Sequence, residues 1–166
     1  MGPPTPATRV ASVEADDGPL EEAPASLSVT VRLDDELDVS RRDLIAAADG
    51  APEVARELLA TVCWFADTAL RAGDRYRLKH TSRVTPALVG AVEARLDPRS
   101  LDFEPAGELG RNDIGVARLV VGTPLAADPC RANRVTGSCV LIDEHSQATV
   151  AAGTAGPPLL APVEPG

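Results

Sequence analysis

Few side chains in this sequence are equipped for nucleophilic or metal chemistry, and those few are scattered. The candidates are two histidines and three cysteines, namely His80, His145, Cys63, Cys130 and Cys139. They do not recur at zinc-ligand spacing, and no serine stands in the Gly-x-Ser-x-Gly context of a nucleophile elbow. An odd number of cysteines without a Cys-x-x-Cys pair is typical of free thiols in a reducing cytoplasm. We therefore predict structural cysteines, no metal site, no catalytic residue and a cytoplasmic protein.

A phosphate-binding loop is excluded by the position of the single lysine, Lys79. A phosphate-binding loop requires a glycine-rich turn followed by lysine and then serine or threonine. Lys79 instead lies between Leu78 and His80 inside a strand-like pattern. The same observation excludes a guanine-reading Asn-Lys-x-Asp motif, and no Gly-x-Gly-x-x-Gly fingerprint follows a strand. The sequence predicts no cofactor and no GTPase activity of its own.

Adjacent carboxylates occur at Asp34-Asp35 and Asp143-Glu144. Neighbouring residues of a strand point to opposite faces, so such pairs are poor acid–base couples, and solvated turns are the favoured interpretation. A calcium loop at Asp34 lacks the glycine and the closing glutamate at the required offsets.

The overall charge limits the partners. The 166 residues carry a formal net charge of −9. An acidic chain is a poor non-specific ligand for nucleic acid, although it can bind a basic protein patch. No apolar run approaches the length of a membrane span, and no signal peptide is recognisable. We expect neither nucleic acid nor membrane among its partners.

The elements that must position these side chains are short strands. Runs of alternating or apolar residues are separated by Gly, Pro and Asp turns at intervals of roughly 8–12 residues, which indicates an all-β barrel or sandwich. The candidate strands are 9–13, 26–33, a short one within 37–45, 75–79 and 115–121. Glu53–Leu70 fits both a helical face and a buried strand, and its local pattern favours the helix.

The last part of this pattern is a loop followed by a hairpin. Asp128 to Thr136 is irregular and carries Arg131 and Arg134. Two short apolar runs, 139–142 and 149–152, then flank a polar turn, which predicts a β-hairpin.

Four segments resemble the large, GTP-binding subunit of bacterial sulfate adenylyltransferase (ATP sulfurylase), a member of the elongation-factor-Tu-like translation GTPase superfamily. They are LRAGDRYRLKHTSRV (70–84), RLDPRSLDFEPAGEL (95–109), RNDIGVARL (111–119) and TPLAADPCRANRVTGSCVLIDEHSQATVAAG (123–153). Their order and spacing follow the family pattern, which includes G-x-x-Y-x-L-K-H-T-T-R and D-P-Y-x-x-N-R-x-T-G. Segments 9–23 and 28–45 resemble the later strands of the same subunit's second domain.

The resemblance implies an elongation-factor-Tu domain-3-like Greek-key β-barrel over 53–154. An incomplete domain-2-like β-barrel over 8–48 precedes it, and disordered tails are expected at 1–7 and 155–166. It also implies that the stretch from Leu58 to Phe65 is the first strand of the third-domain barrel, not a helix. Because an incomplete barrel exposes strand edges, we predict self-association or dependence on a partner.

The function implied by the resemblance is sulfate activation, in which ATP and sulfate give adenosine 5′-phosphosulfate. The chain would contribute through contacts with the catalytic small subunit or with a separate GTPase domain. It would be inactive alone, because the domain on which the family binds GTP and Mg is not among the matching pieces. A stand-alone β-barrel binding module, a translation-factor-like domain that touches RNA and a non-functional truncated paralogue are alternatives, and the acidic charge speaks against RNA.

The resemblance also suggests partner-contact residues. These are His80, Arg83, Asn112, Asp113, Asn133, Arg134 and Thr136. For Asn112-Asp113 and Asn133-Arg134 a role in fixing turns is equally open. The sequence departs from the family pattern at Cys130 and Cys139, which stand in place of aromatic residues, at Val116 in place of arginine, and at Ser146-Gln147 in place of Thr-Asn. Losing each aromatic costs roughly 1–3 kcal/mol if nothing fills its space.

Overall fold

A computed structural model describes residues 6–156, and these divide into two compact units at the boundary between Asp49 and Gly50. The expected tails therefore lie mostly outside the described residues. The twelve strands are β1 Val10–Ala15, β2 Gly18–Leu20, β3 Thr30–Leu33, β4 Glu53–Trp64, β5 Leu70–Arg71, β6 Arg75–His80, β7 Arg83–Leu96, β8 Phe103–Pro105, β9 Glu108–Leu109, β10 Ile114–Ala127, β11 Ser138–Ile142 and β12 Thr149–Ala155. No helix among the described residues is long and apolar enough to cross a membrane. The predicted all-β class is confirmed.

The first unit contains one small antiparallel sheet with the strand order β2-β1-β3. The strand predicted within 37–45 is absent, which corrects that expectation. The backbone there turns locally, because Ser40 N–H donates to the Asp43 carboxylate at 2.9 Å and Asp43 N–H donates to Ser40 O at 3.1 Å. Such side-chain bonds offer the backbone an alternative to a sheet ladder.

The second unit is a closed six-stranded antiparallel barrel in the spatial order β10-β4-β12-β11-β6-β7, and it closes where β7 pairs with β10. The neighbours β6, β7, β10 and β4 form a Greek key, because β4 is the first of these four in the chain but the last in space. The predicted Greek-key barrel is confirmed. The predicted hairpin is also present as β11 and β12, with Cys139 opposite Gly153.

Strand β4 settles the ambiguous segment. Its residues pair with β10 on one side and with β12 on the other. Val62, for example, is paired with Gly115 of β10 and with Gly153 of β12. The helix favoured by the local pattern is therefore wrong, and the strand implied by the resemblance is correct. Two flanking ladders satisfy the backbone of this strand and outweigh its local helical preference.

The core lies inside the barrel and follows the strand alternation. Ala60, Val62 and Trp64 point inward from β4 and are at most 1% exposed. Trp64 donates its Nε1–H to Thr68 O at 2.7 Å and meets Tyr76 edge-on, with ring centroids 5.4 Å apart. With few aromatics available, leucine, valine and alanine complete this interior. Strand β12 ends at Ala155, which pairs with Ala60, so the strand is one residue longer than the expected tail boundary allows.

Candidate functional site

The loop between β10 and β11 is a compact double turn. Ala132 N–H donates to Pro129 O at 2.8 Å, and Gly137 N–H donates to Asn133 O at 2.8 Å. The Asn133 side chain accepts from Val135 N–H at 3.0 Å, a local bond that asparagine commonly makes in turns. We call residues 128–137 the β10–β11 loop. Its shape is set by its own hydrogen bonds.

A buried polar junction ties this loop to the turn between β6 and β7. His80 is 4% exposed, and its Nε2 lies 2.6 Å from Thr136 O. Since a carbonyl can only accept, this contact assigns the ring proton to Nε2. Thr136 in turn donates its hydroxyl to Asp128 Oδ2 at 2.5 Å. His80 and Thr136 therefore hold the loop from inside.

The outer surface of the same loop carries a cation and an apolar side chain. Arg134 is exposed, and within residues 6–156 its guanidinium has no hydrogen-bond or ion-pair partner. Val135 beside it is 72% exposed. Arg83, at the start of β7, lies at this end too and donates to Pro124 O at 3.5 Å. The loop thus presents groups that it does not use itself.

Asn112 and Asp113 lie at the opposite end of β7, where β10 begins opposite Arg95. Asn112 has a φ of +67°, which asparagine tolerates better than most residues, and its N–H donates to Trp64 O at 2.8 Å. The Asp113 carboxylate accepts from Gly110 N–H at 2.8 Å and lies 3.8 Å from Arg95 Nη1. These two residues fix a turn.

The structure therefore separates the seven predicted contact residues. It brings together His80, Arg83, Asn133, Arg134 and Thr136, and it places Asn112 and Asp113 at the far end of the barrel. Sequence reasoning missed Asp128, the acceptor for Thr136, and the exposed Val135. Two signals for Asp128 were its position directly after a strand, at the start of an irregular segment, and its place as the first residue of the D-P-Y motif.

Two side chains of the last hairpin have shifted pKa values. Burial raises the pKa of the Cys139 thiol to about 11, so the thiol is protonated at neutral pH and is a poor nucleophile. Hydrogen bonds from the Ser146 backbone and hydroxyl, and from the backbone of His145, lower the pKa of Asp143. Within residues 6–156 no three ligating side chains gather as a metal site.

The profile of the family described as "GTP-eEF1A C-terminal domain-like" matches residues 57–155, which span the barrel from β4 to β12. The chain belongs to this family. A structure of sup35 complexed with GDP superposes with a TM-score of 0.71 over 89% of this chain and 37% of that one, at 14% identity. That likeness supports the fold of the family.

The curated relatives are closer in sequence. A bifunctional enzyme CysN/CysC from Xylella fastidiosa is 44% identical over 147 residues, which cover 89% of this chain and 24% of that protein. Sulfate adenylyltransferase subunit 1 from Tolumonas auensis is 36% identical over 146 residues, which cover 88% of this chain and 31% of that protein. The predicted resemblance to the sulfate adenylyltransferase large subunit is confirmed. The chain spans about a quarter to a third of the length of these relatives.

Proposed function

We propose that this chain serves sulfate activation in the cytoplasm as the C-terminal portion of a sulfate adenylyltransferase large subunit. The observation that carries the proposal is the 36% identity, over 88% of the chain, with a protein named sulfate adenylyltransferase subunit 1. The chain contributes by protein contact and hydrolyses no GTP, since its single lysine stands in the middle of the β6 ladder opposite Val140 and Val84.

The outer surface of the β10–β11 loop is the contact surface in this proposal. Arg134 carries a charge without a partner among the described residues, and the neighbouring Val135 is 72% exposed. Arginine is enriched among the residues that contribute most to binding at protein interfaces. Arg83 and Asn133 flank them. His80 and Thr136 are buried, so they act as positioning residues that hold the loop in place.

Two kinds of partner fit the proposal, namely the catalytic small subunit of sulfate adenylyltransferase and a separate polypeptide that carries the GTPase domain. Each is tested by co-purification of the tagged chain with the candidate from the same organism. Retention at physiological salt is expected for at least one of them. Retention of neither would refute the proposal and leave a binding module for another enzyme.

Variants then test the surface. Arg134→Ala is expected to weaken retention about tenfold, which is the loss of a typical interface arginine. Arg99→Ala is the matched control, because Arg99 is also exposed and its side chain has no partner in the part of the chain that the structure describes. Equal effects of both variants would contradict the assignment of this surface. GTP hydrolysis by the purified chain is expected to equal the buffer blank.

A further inference from the structure

One end of the barrel is basic, although the whole chain carries a formal charge of −9. This basic end contains the start of β4, the β6–β7 turn, and the last residues of β10 with the β10–β11 loop, that is, residues 53–56, 79–84 and 122–137. Its carboxylates are Glu53 and Asp128, and Asp128 already accepts from Thr136. The cations outnumber them, and they are Arg56, Lys79, Arg83, Arg131 and Arg134.

Two of these cations lie on one side of the barrel without a partner. Lys79 is exposed on the outer face of β6, where it is paired in the ladder with Val140 of β11. Ser138 precedes Val140 by two residues and donates its hydroxyl to Arg134 O at 2.6 Å. Because residues two apart on a strand share a face, Lys79 and Arg134 lie on the same side. Within residues 6–156 neither side chain has a hydrogen-bond or ion-pair partner.

The opposite end of the barrel is acidic, but most of its carboxylates are engaged. Residues 65–75, 93–113 and 143–148 contain ten carboxylates and five arginines. Seven of these carboxylates accept hydrogen bonds or form ion pairs within the described chain, as Glu108 does with Arg71 at 2.7 Å. A second copy could neutralise the basic end only by exchanging such internal contacts. The carboxylates that fit Lys79 and Arg134 are therefore those of a different polypeptide.

The aromatic residues of the chain lie away from the basic end. Trp64 and Tyr76 belong to the core, and Phe65 and Phe103 lie at the acidic end. Proteins that bind single-stranded nucleic acid usually stack its bases on aromatic side chains, and the negative charge of this chain repels phosphates. A protein surface, by contrast, offers carboxylates together with apolar area that can cover Val135, which is 72% exposed.

We propose that the basic end of the barrel docks against a carboxylate-rich surface of the partner polypeptide. Lys79 and Arg134 meet the partner's carboxylates, and Val135 packs against the apolar area beside them. Complementary charge of this kind accelerates association and fixes the orientation of the barrel on its partner. The inference rests on the proposed function only for the identity of the partner, since the charges belong to the barrel itself.

The first test needs no partner. Polyglutamate of about twenty residues is titrated into the isotopically labelled full chain, and the amide resonances are followed. Saturable shifts are expected within residues 79–84 and 131–137. Raising NaCl from about 50 to about 500 mM should weaken binding at least about tenfold, because the Debye length falls about threefold over this range. A single-stranded oligouridine of the same length should bind no more tightly than polyglutamate.

Two charge reversals on one strand locate the site. Lys79→Glu should weaken polyglutamate binding about tenfold, because an attraction between close charges becomes a repulsion. Arg75→Glu is the matched control and should change binding less than about twofold. Arg75 is exposed on the same face of β6 and has no partner within residues 6–156, but it lies at the acidic end. Unfolding midpoints within about 3 °C of the parent show that both variants fold.

Four outcomes would overturn the proposal. They are absence of shifts at the basic end, tighter binding of oligouridine, equal effects of the two charge reversals, and a dimer that Lys79→Glu dissociates but Arg75→Glu does not. The same two variants are then compared in the co-purification experiment. A partner retained equally by the parent and by Lys79→Glu would refute this inference and leave the proposed function standing. Binding of polyglutamate at the basic end without retention of either candidate partner would refute the proposed function alone.

Discussion

Replacing Gly137 by alanine tests how the β10–β11 loop is closed. A Cβ at this position would lie 2.4 Å from Cys130 Cα, 2.6 Å from Asn133 O and 2.7 Å from Cys130 N. All three are backbone atoms, and the Cys130 N–H is engaged with Ala155 O at 3.1 Å. The chain can relieve the overlap only by moving these segments apart, which weakens the bonds that shape the loop.

The expected cost is about 2–3 kcal/mol, the upper part of the range for an overpacked site. For a domain of about 100 residues this lowers the melting temperature by about 8–24 °C. Thermal and urea unfolding, monitored by tryptophan fluorescence, measure this loss of stability. The signal is specific because Trp64 is the only tryptophan and is fully buried.

Gly107→Ala is the matched control for this experiment. Gly107 is exposed, a Cβ there would meet nothing within 4 Å, and its φ lies outside the left-handed range. Alanine at such a position changes stability by about 0–1 kcal/mol in the favourable direction. If Gly137→Ala lay within about 0.5 kcal/mol of the parent, or if both variants lost the same stability, the close approach of Gly137 to Cys130 would be refuted.

Three further predictions concern the same end of the barrel and the last hairpin. Thr136→Val removes the hydroxyl that donates to the Asp128 carboxylate but keeps the shape of the side chain. Urea unfolding should show that the unfolding free energy falls by about 1–2 kcal/mol. An unchanged midpoint would show that this hydrogen bond does not stabilise the fold. In the folded protein the pKa of Cys139 is raised from 9.0 to about 11. The buried, protonated thiol therefore contributes to folding stability fully below pH 9, and this contribution is lost as the pH rises through 11. Across this pH range the parent protein should therefore lose about 2–3 kcal/mol more of its unfolding free energy than Cys139→Ala loses. Parallel pH profiles for the two proteins would contradict the raised pKa of Cys139. Hydrogen-bond donors from Ser146 and His145 depress the pKa of Asp143, so its contribution to folding stability is present above about pH 3.8 and is lost as the pH falls through the folded-state pKa. A carboxyl NMR titration should show a midpoint below 3.8. Asp143→Asn should reduce the loss of stability on the acid side.

Strand β4 shows where local sequence reasoning fails in this fold. Leu58, Ala60, Val62 and Trp64 alternate as inward residues, but Leu59 and Cys63 on the outer face are also apolar and half-buried. An apolar run on both faces has no clear period of two, and the local pattern then favours a helix. The strands that decide the matter, β10 and β12, lie about 50–90 residues away in sequence, and only the family pattern carried that information.

Strand β7 illustrates a milder form of the same problem. A proline argues against a central strand at its own position, yet β7 includes Pro86 and runs without interruption from Arg83 to Leu96. Pro86 pairs with Arg77 on β6, whereas the ladder with β10 ends at Ala87. The proline therefore sits where β7 has lost one of its neighbours, a position that sequence alone could not locate.

Of the two cysteines at aromatic positions, Cys139 packs into the core. Cys139 points inward and is 6% exposed among leucine, valine and alanine side chains. Only Trp64 and Tyr76 contribute aromatic rings to that core. A cysteine packs as a small hydrophobe in such surroundings. The substitution therefore leaves the barrel closed at this position.

The two ends of the barrel differ in how they use their polar residues, and this difference decides which of the matching motifs can face a partner. At one end the Asp113 carboxylate already accepts from Gly110, and the backbones of Asn112 and Asp113 already bond to Trp64. The Asp113 carboxylate is thus already engaged in fixing the turn before β10. At the other end the polar groups of His80, Thr136 and Asp128 also form internal hydrogen bonds, beneath the β10–β11 loop. Arg134 and Val135 remain on the outer surface of that loop. An interface gains most from groups that carry no internal task, because binding then costs no native contact. The motif around Asn112 is thus best explained by folding, whereas the motif around Arg134 combines a folded base with a surface left open for contact.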